Sequence, residues 1–290
     1  MDLLVKAIAR TGPIAVTVLV NTSTVEKART LHDTYPTATA ALGRTMTGVM
    51  LMASLLKEGQ KISVQIVGDG PLKEVFAEAD WLSRVRGYVR KPHVFMGLIG
   101  ESLDVGRAIG PGYLHVIKDL GLRESYHSSI PLQTGEIASD IAYYLSVSEQ
   151  FPAAISLGVY VDTDNSVKAS GGFLVHTMPG ADDLLVTYME DRISTTPTVS
   201  SMVLDGRTPG EIIHEILGMP FDIIDQRDVS YYCPCSKERV LRALITLGQQ
   251  DLREMIAQEE PLAIQCHFCK TDYSVTPLEL EDLIREMQAG

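Results

Sequence analysis

"YYCPCSKERV" (residues 231–240) and "QCHFCKTDY" (residues 265–273) hold all four cysteines of a 290-residue chain. The 232 residues before Cys233 contain none. The first pair is a CxC and the second a CxxC. Two residues between cysteines let both sulfurs converge on one metal ion at about 2.3 Å, and a second pair roughly 30 residues away can complete a tetrahedral site. Cys233, Cys235, Cys266 and Cys269 are therefore the expected ligands of one Zn2+. Thiols are often buried, but seldom as two close pairs on turn sequences. His267 lies inside the CxxC, yet four thiolates already fill the shell, so it reads as a neighbour. The other histidines (His32, His93, His115, His127, His176, His214) form no HExxH-like spacing.

The residues around the cysteines read as a small domain over 231–290. Ser236 caps an amphipathic helix that Gly248 ends, and a second helix stops before Pro261. "LAIQ" (262–265) and "DYSV" (272–275) are strands on either side of the CxxC turn. Thr276, Pro277 and Glu279 open a last helix with a capping box. The CxC half-site is unusual, because a disulfide inside it closes a very small, strained ring, and strained disulfides are the labile ones. Lys237, Arg239 and Arg242 follow it. Cations near thiolates favour the reactive ionised form, although a solvated helix face accounts for the same charges.

Upstream, "IAVTVLV" (14–20) reads as a strand, and residues 35–59 as a long helix with Pro36 near its start and Gly59 at its end. Its methionines, Met46, Met50 and Met52, read as core. Residues 61–89 carry hairpin grammar around "GDGP" (68–71), and 112–120 is a further strand. Residues 134–150 read as a helix with Thr134 as N-cap. Residues 153–178 read as two strands around the turn "DTDNS" (162–166). Strands that cluster and then give way to helices indicate an α+β fold. A boundary falls near "HTMPGADD" (176–183). The expected organisation is an α+β core over 1–178, a helical linker over 179–230 and the cysteine domain over 231–290.

Composition narrows the function. The chain is 45% hydrophobic and 21% charged, with net charge −12. That acidity argues against a general grip on nucleic acid or anionic membrane. Residues 231–290 alone carry six Lys/Arg against ten Asp/Glu, the wrong sign for a zinc ribbon on phosphate. No phosphate-binding glycine loop occurs, so no ATP-driven cycle is legible, and no catalytic constellation can be assigned; the chain reads as a non-enzyme. No apolar run reaches the roughly 18 residues that span a bilayer. Asp2 and the lack of a clear cleavage site argue against a signal peptide at the N-terminus. A reducing cytoplasm is expected, where paired cysteines serve metals more often than structural disulfides. A thioredoxin-type enzyme is a poor match, because its CxxC opens a helix. The remaining alternative is a zinc-stabilised scaffold or nucleic-acid-binding protein without redox switching.

The run "CPCSKER" followed by "CHFC" near the end of a chain of this length resembles the bacterial heat-shock protein 33 family. "VQIVGDGPL", "RVRGYV" and "YYLSVSEQFP" resemble that family's N-terminal core, so the likeness spans essentially the whole chain. The resemblance implies a redox-regulated chaperone. Reduced and zinc-bound, it is inactive. Peroxide with heat, or hypochlorous acid, releases zinc and pairs neighbouring cysteines, here Cys233 with Cys235 and Cys266 with Cys269. The linker then unfolds, and the protein, associated with a homodimer in its active state, holds unfolding clients without ATP.

Overall fold

In the computed structural model, which describes residues 2–100 and 102–289, the chain opens on strand β1 (Leu3–Ala9), strand β2 (Ile14–Val20), helix α1 (Thr22–His32) and helix α2 (Pro36–Ala53). α2 carries one charge, Arg44, in eighteen residues, and a helix apolar all round belongs in a core. Almost every side chain on it is buried, including Met46, Met50 and Met52. Its small residues let neighbours close in: a Cβ at Gly43 would lie 2.8 Å from both Val25 and Val159. The helix ends at Ala53, six residues before Gly59, the stop expected from sequence.

Two sheets pack against α2. The first has the order β10-β11-β2-β1-β12, where β10 is Ala153–Val161, β11 is Val167–Thr177 and β12 is Phe221–Asp228. All its neighbours are antiparallel. The second has the order β13-β5-β4-β3-β8-β9, with β3 Lys61–Gly68, β4 Glu74–Asp80, β5 Arg84–Val89, β8 Gly112–Asp119, β9 Tyr126–Pro131 and β13 Ser230–Tyr231. Between β5 and β8 lie a two-stranded piece, β6 (Leu98–Ile99) with β7 (Ser102–Leu103), and the short helix α3 (Val105–Ile109). Helix α4 (Ala138–Val147) packs against β10.

Two carboxylates settle helix starts, one from a distance in sequence and one from inside its own helix. The buried Asp2 carboxylate accepts the N–H groups of Ser23 and Thr24 at the start of α1, where an anion also suits the helix dipole. Thr134 does not cap α4. Asp140 accepts the N–H groups of Gln133, Thr134 and Ile137 and so closes the approach loop, and the helix begins at Ala138.

Residues 179–230 expose the main difference from the sequence reading. Helices α5 (Asp183–Thr195), α6 (Val199–Leu204) and α7 (Pro209–Leu217) form there. The Thr208–Glu211 capping box of α7 is made in both directions. Ile212, Ile213, Ile216 and Leu217 of α7 join Met189 and Met202 in a cluster with Val5, Val16, Val18 and Phe173 of the first sheet. The rest is not helical. Residues 221–228 are β12, paired along β1 with a bulge at Lys6/Ala7. "FDIIDQRD" has no clean alternation because an edge strand is largely exposed, and only its partner reveals it as a strand.

The second compact unit begins at Cys233. It holds helices α8 (Lys237–Ile245) and α9 (Gln249–Ile256), strands β14 (Leu262–Gln265) and β15 (Asp272–Val275), and helix α10 (Pro277–Ala289). Its core consists of Leu244, Leu252, Val275, Leu280 and Leu283 with partly buried neighbours. Among the described residues no helix is long and apolar enough to cross a membrane.

Candidate metal centre

The second half of the site is set by its turn. β14 and β15 pair with Gln265 opposite Asp272. Between them Cys266 N–H donates to Thr271 O at 2.8 Å, and Lys270 N–H donates to Cys266 O at 3.0 Å. Lys270 adopts φ 58° to close the turn. This holds Cys266 and Cys269 on one side of a knuckle. The other half leads into α8, whose N-cap Ser236 accepts Arg239 N–H.

The four sulfurs lie within 4.8 Å of one another. Cys233 Sγ is 3.7 Å from Cys266 Sγ, and Cys235 Sγ is 3.1 Å from Cys269 Sγ. Tetrahedral Zn–S bonds of about 2.3 Å place sulfurs about 3.8 Å apart; one separation matches that spacing, and the other is shorter and opens by about 0.7 Å to admit the ion. The donor set, four partly buried free thiols, is the soft one that zinc accepts. All four cysteines singled out from sequence meet at one point. His267 is not a member of the cluster; its ring lies edge-on to Phe268. The cations after the CxC have other partners: Lys237 Nζ is 2.6 Å from Glu279 Oε1, and Arg242 Nε donates to Glu238 O.

Two residues that sequence reasoning passed over touch the sulfurs. Thr271 Oγ1 lies 3.1 Å from Cys269 Sγ, and Tyr273 Oη donates to Cys235 Sγ at 3.0 Å. Desolvation opposes ionisation of Cys269, but hydrogen bonds from the Thr271 hydroxyl, Cys235 and the Thr271 N–H outweigh it and bring its pKa down to about 6. Desolvation, together with the neighbouring sulfurs, pushes Cys235 up to about 12 despite the Tyr273 bond. The bond to Cys235, then desolvation, raises the Tyr273 hydroxyl and keeps it a donor. Without a cation, then, Cys269 ionises more easily than an ordinary thiol and Cys235 less easily; a bound divalent ion displaces the thiol protons.

The two-sheet α+β unit followed by a four-cysteine unit defines a class of protein, and the comparisons name it. The chain belongs to the Hsp33 family: the family model described as Hsp33 protein matches residues 2–276. The chain is 52% identical over 287 residues to the 33 kDa chaperonin of Thermodesulfovibrio yellowstonii, covering 99% of this chain and 100% of that one. It is 39% identical over 289 residues to the 33 kDa chaperonin of Desulforamulus reducens, covering 99% and 98%. The crystal structure of a 33 kDa chaperonin (heat shock protein 33 homolog) from Thermotoga maritima superposes with a TM-score of 0.91 at 32% identity, over 100% of this chain and 99% of that one.

Proposed function

We propose that this protein is a redox-regulated, ATP-independent holdase chaperone of the cytoplasm, inactive while reduced and zinc-bound. The observation that carries the reading is the convergence of four thiols in a unit with a small apolar core, in a chain whose relatives are named 33 kDa chaperonins. Cys233, Cys235, Cys266 and Cys269 hold the ion, which supplies a cross-link between the CxC and the knuckle. Residues 1–178 serve as the core domain, 179–230 as the linker and 231–290 as the switch.

Activation is oxidation of the ligands. Two thiolates and one hydrogen peroxide give one S–S bond and two hydroxide ions, so two peroxides convert the four thiolates into Cys233–Cys235 and Cys266–Cys269. Pairing within each cysteine pair closes only a local loop and leaves the CxC and the knuckle unlinked. Energetics favour opening. A structural zinc site supplies about 10–16 kcal/mol of apparent folding energy. Disulfides closing loops of about three or four residues return roughly 1.5–2 kcal/mol each. A cross-pair bond such as Cys235–Cys266 closes about 32 residues, is worth nearly 4 kcal/mol and ties the halves together. Local pairing therefore lets the switch unfold, loosens the linker and exposes apolar surface to unfolding clients, with a homodimer as the active form and no role for nucleic acid.

The test is light scattering from a thermally unfolding client, with reduced and oxidised protein and zinc release followed in parallel. Protection by the oxidised form alone, without ATP, is the expected result. Equal protection by both forms defeats the switch, and an ATP requirement defeats the holdase mechanism. Metal analysis of each Cys→Ser variant tests the ligand set; full, tight zinc in Cys235→Ser removes that residue from it.

A further inference from the structure

Four thiolates and one Zn2+ leave two negative charges, in a chain of net charge −12. The lysine after the CxC does not offset them, because its ammonium pairs with Glu279 at 2.6 Å. What does reach the sulfurs is a pair of hydroxyls. Tyr273 Oη donates to Cys235 Sγ at 3.0 Å, and Thr271 Oγ1 sits 3.1 Å from Cys269 Sγ. Once the sulfurs are ionised they can only accept, so both hydroxyls donate.

The placement follows from the β14–β15 hairpin. Tyr273 stands opposite Ile264 in the ladder. Residues 271 and 273 point to one side of the extended chain by its period of two, and Thr271 is fixed by accepting Cys266 N–H through its carbonyl. One strand thus serves both halves of the centre: Thr271 supports the knuckle, and Tyr273 reaches across to the CxC. The two sulfurs so engaged, Cys235 and Cys269, lie 3.1 Å apart, close enough for strong repulsion between thiolates.

We propose that Tyr273 and Thr271 are positioning residues of the metal centre: their hydroxyls hold the Cys235 and Cys269 sulfurs in place, offset their charge and so set how tightly the ion is retained. The inference rests on the metal-centre reading above. Partners behind the ligands commonly govern metal affinity by 10–100-fold. Tyr273 is the stronger of the two, since its hydroxyl reaches across from the hairpin to the other half of the centre, whereas Thr271 sits two residues from the sulfur it supports.

The experiment uses the reduced full-length chain and the near-isosteric variants Tyr273→Phe and Thr271→Val. Zinc affinity is measured by competition with a chromophoric chelator, and the thiolate-to-metal charge-transfer band is recorded after Co2+ substitution. Tyr273→Phe is expected to bind zinc about 10-fold more weakly and to shift the cobalt band to lower energy, because a sulfur relieved of a donor gives up its electrons more easily. Thr271→Val is expected to move both in the same direction by less. Unchanged affinity with an unchanged band overturns the proposal. Weaker binding with an unmoved band also overturns it, since that is what lost packing alone produces. Failure of the unsubstituted protein to bind Co2+ or Zn2+ overturns the metal-centre reading itself, and with it this inference.

Discussion

The unit that ends at Tyr232 buries α2 between two sheets and packs α7 with the first of them in a second apolar cluster. The unit that begins at Cys233 is 58 residues long and fully buries five apolar side chains. A core of that size stabilises a fold by only a few kcal/mol, and natural domains so small usually add a metal or disulfides. Under the metal-centre reading proposed above, the contrast is between a part whose folding depends on apolar burial and a part whose folding depends on four sulfurs. Chemistry at those sulfurs can then act on the second part without dismantling the first.

Metal removal is the harshest test of that contrast. Stripping zinc from the reduced protein with a chelator is expected to abolish slow amide exchange throughout 233–290, about 10–16 kcal/mol of apparent stabilisation being lost. The strands of both sheets should keep their protection. Slow exchange in the stripped second unit means that its apolar core suffices and the contrast is false. Disulfide mapping on the oxidised protein sharpens the same point: bonds bridging the two pairs indicate a switch that stays closed.

Smaller effects should stay within one unit. Leu51→Ala, in the core of the first, should cost about 2–5 kcal/mol in denaturant unfolding while zinc affinity stays unchanged. Thr208→Ala removes the N-cap of α7 and should cost about 0.5–2 kcal/mol, with exchange rising first in residues 209–217. A change in zinc stoichiometry in either variant shows that the units do not behave separately.

Mild acid provides a gentler probe of the first unit. His176 packs against Phe151, and its Nδ1 is buried with no hydrogen-bond partner. Burial first, and the nearby Lys6 second, lower its pKa below the usual 6.5. Below that pH the unfolded chain takes up a proton that the folded chain refuses, so the unfolded state binds more protons and stability falls as pH drops. The urea midpoint of the first unit is expected to decline from pH 7 to 5.5, and less so in His176→Phe. The smallest effect belongs to Arg10–Asp222, an exposed ion pair: Arg10→Ala should leave that midpoint where it is, since exposed pairs are screened by water and salt.

The fold was legible from sequence wherever local signals were strong. The hairpin around "GDGP", the Ser236 and Thr276 caps and the methionines of α2 all announce themselves through spacing of a few residues. β1 and β12 did not. β1 lies inside the first sheet with Leu4, Val5 and Ala7 buried, so it has no clean apolar/polar alternation. β12 is an exposed edge whose pairing partner lies more than two hundred residues away. The start of α4 was misplaced because Asp140, not Thr134, satisfies the loop before it.

At the metal centre the division has the same cause. The sequence by itself determined which four residues could bind an ion, because ligand spacing within a CxC or a CxxC is a local property. Only the tertiary structure decided that the two pairs meet, that Cys235 faces Cys269 while Cys233 faces Cys266, and that a tyrosine 38 positions beyond Cys235 donates to it. Those contacts depend on how α8 and the β14–β15 hairpin fold back on a common apolar core, and burial carries no trace of its partner in the local order of residues.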